Sequence, residues 1–180
     1  MNLDTNNMEA IVAMLMKELK KVENKEETCS CCEAKNGVFH SMDEAIAAAK
    51  KAQATLFASR LELRERIVNS IRETLKDYTL ELAELGVSET GMGRVADKKL
   101  KHEVTIAKTP GVEDLKAFAY SGDDGLTVME LSPYGVIGAI TPSTNPSETI
   151  ICNSIGMIAA GNAIVFAPHP GAKRTSIRTV

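Results

Sequence analysis

The thiols and imidazoles of this sequence are the first side chains to consider for chemistry. Cys29, Cys31 and Cys32 lie together in a polar Cys-Ser-Cys-Cys run, and Cys152 lies apart from them in an apolar stretch. Protein metal sites usually take their ligands from two separated pairs. The second pair is missing, so the run is interpreted as reduced, solvated thiols, with metal or redox chemistry as the less favoured alternative.

The histidines His40, His102 and His169 are too scattered to indicate a metal site built on imidazoles. Asn145, followed by Pro146, has the residue type of a turn, and on that basis alone it is interpreted as one. No metal site is therefore predicted, and the chemistry depends on which elements bring side chains together.

Three elements around these positions predict a parallel sheet with a site at its edge. Residues 136–140 are a short apolar run typical of a buried strand, residues 147–160 have helical character, and residues 163–166 form a second apolar run. Such a strand–helix–strand unit is right-handed, with parallel strands. Ligands bind beyond the carboxyl ends of parallel strands, so loops 141–146 and 167–171 are the predicted small-molecule site.

The region 41–108 before this unit is predicted to consist of three helices. Ser41 and Glu44 form a capping box at the start of the first helix, and Ser59 repeats the capping signal for the second. The third helix is predicted from about residue 95 to residue 108, before a proline. Residues 126–131 then predict a strand.

The N-terminal region combines an amphipathic helix over residues 7–22 with a polar, aperiodic linker over residues 23–37. The apolar stripe of the helix consists of Met8, Ile11, Val12, Leu15, Leu19 and Val22. A helix of about four turns needs a surface that covers its stripe. The pattern alone supports a docking peptide and a helix packed on its own domain equally.

Composition excludes several classes of function. The chain has 180 residues, a formal net charge of -3 and 44% hydrophobic residues, which is typical of a globular protein and gives no electrostatic reason to expect nucleic acid. No apolar run reaches the roughly 18 residues that cross a bilayer, and the N-terminus does not have the pattern of a secretory signal. We therefore expect a cytoplasmic protein without a membrane partner.

Several motifs together resemble the aldehyde dehydrogenase superfamily. The run from Gly135 to Pro146 is similar to the strand and proline-flanked loop that carry the catalytic asparagine of that superfamily, and residues 159–163 and 166–170 extend the match. Residues 89–93 and 109–115 look like the CoA-acylating branch, and within it the enzymes of ethanolamine and propanediol utilisation. The resemblance covers essentially the whole chain.

The resemblance implies an α/β fold: the N-terminal part of an aldehyde dehydrogenase-like fold, with a helical segment leading into an incomplete Rossmann-like parallel sheet. Residues 38–180 would be an incomplete NAD-binding domain. The implied function is NAD-dependent oxidation of a short-chain aldehyde, acetaldehyde or propionaldehyde, with CoA as co-substrate. The aldehyde is attacked by a cysteine thiolate, hydride passes to NAD, and CoA takes the acyl group from the resulting thioester.

The resemblance also implies roles for individual residues. Asn145 matches the asparagine whose amide donates to the developing oxyanion. The segments implied to contact NAD are Ile140, Thr141, Pro142, Ser143 and Thr144, followed by Ala167, Pro168, His169, Pro170 and Gly171. Hydrolytic members usually have Lys-Pro-Ser where this chain has Ala167-Pro168-His169, which supports the acylating branch and leaves the ribose contact unassigned. His169 either contacts a ligand or is a solvated loop histidine.

The implied partners are the aldehyde, CoA and a bacterial microcompartment shell protein that receives the helix of residues 1–22. A homo-oligomer is expected at full length, assembled through an antiparallel hairpin that includes residues 126–136. No cysteine here fits the family's nucleophile, since Cys152 is predicted to be a buried, inert thiol. The chain alone is therefore predicted to be inactive.

Two other functions compete with this interpretation. The first is a non-catalytic binding or assembly fragment that carries the targeting helix. The second, a short-chain Rossmann reductase, is disfavoured because no Gly-x-Gly-x-x-Gly follows the first strand of the predicted parallel sheet.

Overall fold

Five helices and four strands follow one another along residues 37–180, the part of the chain that the computed structural model describes. The helices are α1 (Met42–Phe57), α2 (Leu61–Thr90), α3 (Val95–Lys108), α4 (Pro146–Ala159) and α5 (Lys173–Thr179). The strands are β1 (Phe118–Gly122), β2 (Gly125–Met129), β3 (Val136–Thr141) and β4 (Ala163–Pro168). Short 3-10 turns lie at Val112–Asp114 and Pro170–Ala172. The predicted helix of residues 7–22 and residues 23–36 of the predicted linker of residues 23–37 lie outside the described residues.

The three predicted helices of region 41–108 are confirmed, with one correction at a cap. The Ser41 hydroxyl accepts from the Glu44 N–H at 3.2 Å and so caps α1 as expected. The predicted cap at Ser59 is wrong, because Arg60 occupies the N-cap position of α2 and the Ser59 hydroxyl donates to the Leu56 carbonyl. Ser59 therefore completes the turn after α1 and does not start α2.

The main apolar core lies where α2, α3 and α4 pack on one another. Its buried members are Val68, Leu82, Ile106, Ile151, Ile155 and Ala159. Helix α2 ends at Gly91, whose φ of 67° is a left-handed conformation that favours glycine. The reversal that follows lets α3 run back along α2 and pack against α4.

Strands β3 and β4 pair in parallel on either side of α4 in the sequence, which confirms the predicted unit. Their register runs from Val136 opposite Ala163 to Thr141 opposite Pro168. Helix α4 ends in a Schellman motif, in which Gly161 has a φ of 85° and the Asn162 N–H donates to the Met157 carbonyl. This fold is the mixed α/β architecture that the sequence predicted.

The antiparallel hairpin lies earlier in the chain than predicted. Strand β2 ends at Met129, and its partner β1, which was not predicted, pairs Phe118 with Met129 and Gly122 with Gly125. Residues 130–135, which belonged to the predicted hairpin region 126–136, form no strand. Every residue of β1 and β2 is exposed, so within residues 37–180 this ribbon has no covering layer.

Apolar surface is also open around the parallel pair, as expected for a sheet of only two strands. The prediction that residues 136–140 form a buried strand is wrong in part, since Ile140 is 86% exposed while Ala139 and Thr141 are buried. An open apolar groove of about 960 Å³ lies beside the pair. Its lining includes Leu56, Leu63, Ile71, Ile158 and Phe166.

Candidate functional site

The two predicted site loops meet at the carboxyl ends of β3 and β4. Thr141 and Pro168 are register partners at the last positions of the two strands. One residue further on, the His169 N–H donates to the Thr141 carbonyl at 3.1 Å. The structure therefore brings the segments 140–144 and 167–171 together, as the strand pairing predicted; whether they bind a ligand stays a prediction.

Asn145 ends the first loop and occupies the N-cap position of α4. Its main-chain carbonyl accepts from the Thr149 N–H and hydroxyl, so the start of the helix fixes its backbone. Its side chain makes no cap hydrogen bond; instead, Oδ1 accepts from the Lys101 Nζ at 2.7 Å. Since the helix start does not use this amide, it is available for another role.

A buried ion pair lies directly beneath the loop. Lys98 on α3 donates to the Thr144 carbonyl and lies 3.3 Å from Oε1 of Glu148 on α4. Both side chains are almost completely buried, with exposed fractions of 6% and 8%. Buried charges require partners and satisfied hydrogen bonds, and the ammonium finds here one carboxylate and one carbonyl. The main chain just before Asn145 is thereby tied to α3.

His102 extends this network on the same helix. Its Nδ1 lies 3.1 Å from the Thr79 carbonyl, which can only accept, so Nδ1 carries a proton. Burial lowers the pKa of His102 from its ordinary value of 6.5, although Glu148 opposes that shift. The ring is therefore neutral, and its Nε2 accepts from the Ser147 hydroxyl at 2.6 Å. The Ser147 oxygen is also 3.2 Å from Glu148 Oε2, but its single hydrogen is assigned to the shorter contact.

Sequence reasoning missed Lys98, Lys101, His102 and Glu148, although α3 carries a signal. Its buried face consists of Lys98, His102 and Ile106, whereas Leu100 and Val104 are 59% and 60% exposed. An amphipathic helix normally buries its leucines and exposes its lysines. Lys98 and His102 lie at four-residue steps before the buried Ile106, on the same face of the helix. Polar residues on the apolar face of a helix are the signal that indicates a buried polar network.

The second loop is held in a different way. The Nδ1 of exposed His169 accepts from the Gly171 N–H at 3.1 Å, so this side chain caps the turn that follows it. Glu89 at the end of α2 accepts from the main-chain N–H groups of Arg174 and Thr175, at 2.7 and 2.6 Å. Burial alone would raise the pKa of Glu89, but the hydrogen bonds from Thr175 and Arg174 outweigh it and lower that pKa below 4.5.

Within residues 37–180, the end of β3 carries one exposed apolar side chain and one unpaired hydroxyl. Ile140 presents an exposed apolar side chain of the kind that covers one face of a ribose or ring. The hydroxyl of the next residue, Thr141, is buried and has no hydrogen-bond partner within residues 37–180. This hydroxyl lies beneath the two loops and is closed to solvent.

The sole cysteine within residues 37–180 is exposed. Cys152 lies on the solvent side of α4, so its predicted burial is wrong, and the apolar neighbours in its sequence face the core instead. In this same part of the chain, no three His, Cys, Asp or Glu side chains are placed to hold a metal ion. None of its helices is long and apolar enough to cross a membrane.

Comparison with known proteins gives consistent matches. The family described as "Aldehyde dehydrogenase family" matches residues 16–180. The acetaldehyde dehydrogenase (acetylating) of Salmonella typhimurium is 51% identical over 144 residues, which are 80% of this chain and 30% of that protein. A propionaldehyde dehydrogenase from the Clostridium phytofermentans fucose utilisation bacterial microcompartment has a TM-score of 0.77 at 53% identity, over 79% of this chain and 33% of its own.

Two further solved structures were determined with ligands. The Rhodopseudomonas palustris propionaldehyde dehydrogenase, with bound CoA and an acylated cysteine, has a TM-score of 0.77 at 50% identity, over 79% of this chain and 33% of its own. An engineered glycolyl-CoA reductase with bound NADP+ has a TM-score of 0.77 at 49% identity, with the same two coverages. The chain thus spans about a third of the length of these relatives.

Proposed function

We propose that this chain, which belongs to the aldehyde dehydrogenase family and is a homologue of its CoA-acylating members, forms the cofactor-side part of an enzyme that converts a short-chain aldehyde and CoA to acyl-CoA. The observation that carries the proposal is the likeness, in sequence and in fold, to a propionaldehyde dehydrogenase that binds CoA and carries an acylated cysteine. The aldehydes named for the relatives, acetaldehyde and propanal, define the proposed substrate class.

Asn145 is proposed to donate to the aldehyde oxygen as it becomes an alkoxide. Its amide stands at the carboxyl end of a parallel strand, where ligands bind, and the start of α4 does not use it. A donor that is held in place before the reaction stabilises developing charge without reorganising. Removal of one such donor typically lowers kcat by roughly 10²–10³-fold.

The cofactor is proposed to be NAD, as a hydride acceptor, between the two loops. Residues 140–144 and 167–171 would hold it, with Ile140 covering an apolar face and the loop main chain supplying polar contacts. An engineered relative binds NADP+, so the choice between the two nucleotides depends on contacts to the ribose. His169 is a candidate for such a contact, because its Nδ1 is used by the turn and its Nε2 is left free for a ligand.

The nucleophilic cysteine is proposed to come from a part of the enzyme that these 180 residues do not contain. Cys152 is exposed on α4 and is separated from Asn145 by two turns of that helix. The chain by itself is therefore proposed to be inactive. It would supply one side of the active site, and the rest of the enzyme would supply the other.

A microcompartment location is proposed for the enzyme on the basis of one relative, which belongs to such a compartment. The apolar stripe of residues 8–22 is proposed to dock on a shell protein, and residues 23–37 to act as the tether. The fully exposed ribbon of β1 and β2 is proposed to pair with another copy of the full-length enzyme. A purely non-catalytic assembly role is the alternative.

The enzymatic proposal is tested with a chimera that joins this chain to the remaining part of the Salmonella typhimurium relative. We expect it to form NADH from acetaldehyde or propionaldehyde only when CoA is present, whereas the 180-residue chain forms none. Asn145→Ala should lower kcat roughly 10²–10³-fold, and Asn153→Ala, on α4 but away from the loop, should not. NADH formation by the chain alone, or full activity of Asn145→Ala, would contradict the proposal.

The targeting proposal has its own test. Residues 1–37 fused to a fluorescent protein should collect in microcompartments when shell proteins are co-expressed. The same fusion carrying Leu15→Glu and Leu19→Glu, which interrupt the apolar stripe without shortening it, should stay diffuse. Equal distribution of the two fusions would contradict docking through the apolar stripe. It would leave the alternative, in which the helix packs on its own domain.

A further inference from the structure

We infer that Lys101 is a positioning residue that fixes which end of the Asn145 amide faces the reaction; this inference rests on the proposed function. The Lys101 ammonium lies 2.7 Å from Oδ1 of Asn145. An ammonium can only donate, so its partner must be the amide oxygen. The amide nitrogen is then the free end, and within residues 37–180 it has no hydrogen-bond partner.

The need for such a device follows from the symmetry of the side chain. The oxygen and nitrogen ends of an asparagine amide have nearly the same shape, and a half-turn about the last side-chain bond exchanges them. With the oxygen forward, the amide would repel a developing alkoxide; with the nitrogen forward, it donates to it. A cation behind the oxygen makes the productive orientation the more stable one.

Lys101 stands on a base that is rigid for independent reasons. Lys98 lies three residues earlier and therefore on the same face of α3. Its buried ammonium holds the Thr144 carbonyl and the Glu148 carboxylate, so the main chain just before Asn145 is fixed to α3. One helix thus positions both the backbone that carries the amide, through Lys98, and the amide itself, through Lys101.

The contact can be tested on the full 180-residue chain without any assay of activity. In 15N-labelled protein, the side-chain amide signal of Asn145 is the one that Asn145→Ala removes. Lys101→Met should shift that signal and increase its mobility, and Lys101→Arg, which keeps a donor, should restore it. Lys99→Met is the matched control, since Lys99 lies on the same helix but is paired with Glu103. An Asn145 signal that Lys101→Met leaves unchanged would overturn the inference.

The consequence for catalysis is tested in the chimera. Lys101→Met should lower kcat by up to the roughly 10²–10³-fold expected for loss of an oxyanion donor, with little change in KM for the aldehyde. Lys101→Arg should recover most of the activity, and Lys101→Met should have no further effect in an Asn145→Ala background. A cation that acted directly on the alkoxide would still lower kcat in that background.

The two proposals fail in different ways. If Asn145→Ala retains full kcat, the oxyanion role is wrong, while the amide signal still reports whether Lys101 orients the side chain. If Asn145→Ala loses activity but Lys101→Met does not, the oxyanion role stands and the positioning role is wrong. Lys101 is exposed, so its replacement should leave the fold intact, and the dispersion of the remaining amide signals checks this.

Discussion

The loops after β3 and β4 are both anchored by a charged side chain from the helical region, but the two charges have opposite sign. A cation, Lys98 of α3, holds a carbonyl of the first loop, whereas an anion, Glu89 of α2, holds the N–H groups at the start of α5. The cation is buried and donates to the carbonyl of Thr144, the residue before Asn145. The anion binds main-chain N–H groups that begin five residues beyond His169, and the exposed tip of the loop is held by the cap that His169 itself forms.

This difference indicates that the two loops are held with different rigidity. The first loop is fixed beside Asn145, as the proposed role of donor to a transition state requires. In the second loop the charged anchor lies beyond the tip, and the tip itself is held only by the hydrogen bonds of the His169 main chain and cap, so we expect it to adjust more easily to the proposed nucleotide. If the contrast is correct, mutations beneath the first loop should be costly for stability, and mutations in the tip of the second should not be.

The largest effect is expected from Lys98→Met. It leaves the Glu148 carboxylate buried without its partner, which typically destabilises a protein by about 3–5 kcal/mol. Urea unfolding followed by circular dichroism measures the change. Lys98→Met combined with Glu148→Leu should recover much of the loss, because the pair is then replaced by apolar groups. If the single variant is no less stable than the parent, the first loop is not anchored as described.

A smaller effect is expected from His102→Leu, at about 1–3 kcal/mol, because it removes the two buried hydrogen bonds that the ring makes to the Thr79 carbonyl and the Ser147 hydroxyl. The variant also has a pH signature. Burial lowers the pKa of His102 in the folded state, so the unfolded chain takes up the proton first as pH falls. Its contribution to stability is present above pH 6.5 and is lost as pH falls below that value.

The groups that face this ring are Glu148, Lys98 and Lys101. Unfolding free energies measured from pH 8 to pH 5 should therefore fall more steeply in the parent than in His102→Leu. Parallel curves for the two proteins would show that the ring takes up its proton equally in the folded and unfolded states, which contradicts the lowered pKa of His102.

On the side of the second loop, Glu89→Gln should destabilise the chain by about 1 kcal/mol, the usual effect of losing a good helix cap. The hydrogen bonds lower the folded-state pKa of Glu89, so its contribution is present above pH 4.5 and is lost as pH falls through that lowered value. Melting temperatures of the two proteins should therefore differ at pH 7 and converge in acid. A constant difference would show that the charge of Glu89 has no part in the cap.

The smallest effect is expected from His169→Ala, which removes one exposed cap and should change stability by no more than about 0.5 kcal/mol. His169→Asn, which keeps a short acceptor, is its control. In the chimera, His169→Ala should raise the KM for the nucleotide and leave kcat unchanged if His169 contacts the cofactor. A melting temperature that falls as far as in Lys98→Met would remove the contrast between the loops.

Much of this arrangement was predictable from local signals. The bounds of α3 follow from the glycines before it and the proline after it, and the pairing of β3 with β4 follows from two apolar runs around a helix. Strand β1 was missed because its apolar run is only three residues long, although the Asp-Asp pair between flanking glycines is a turn signal that would have indicated the hairpin.

The network beneath the first loop could not be predicted in the same way. Lys98 and Lys101 reach their partners Thr144, Asn145 and Glu148 across separations of 44 to 50 residues. A charged residue on a helix is usually exposed to solvent, so the local sequence does not indicate these partners. The burial of Cys152 was wrongly predicted for a related reason, because its apolar sequence neighbours belong to a different face of α4. Local periodicity places an element, but it does not reveal which long-range partner turns a polar face inward.

Helix α3 buries Lys98 and His102 and exposes Leu100 and Val104, and this arrangement has a consequence for folding. A rotation of this helix by roughly half a turn about its own axis would bury Leu100 and Val104 and release Lys98 and His102 into water. We expect hydrophobic collapse to favour that rotation at first, because Thr144 and Glu148, the partners of Lys98, and Ser147, the hydroxyl partner of His102, lie later in the chain. We expect the native rotation to become the stable one only after β3 and α4 have formed. The last third of the described chain then determines how a helix in its first half packs.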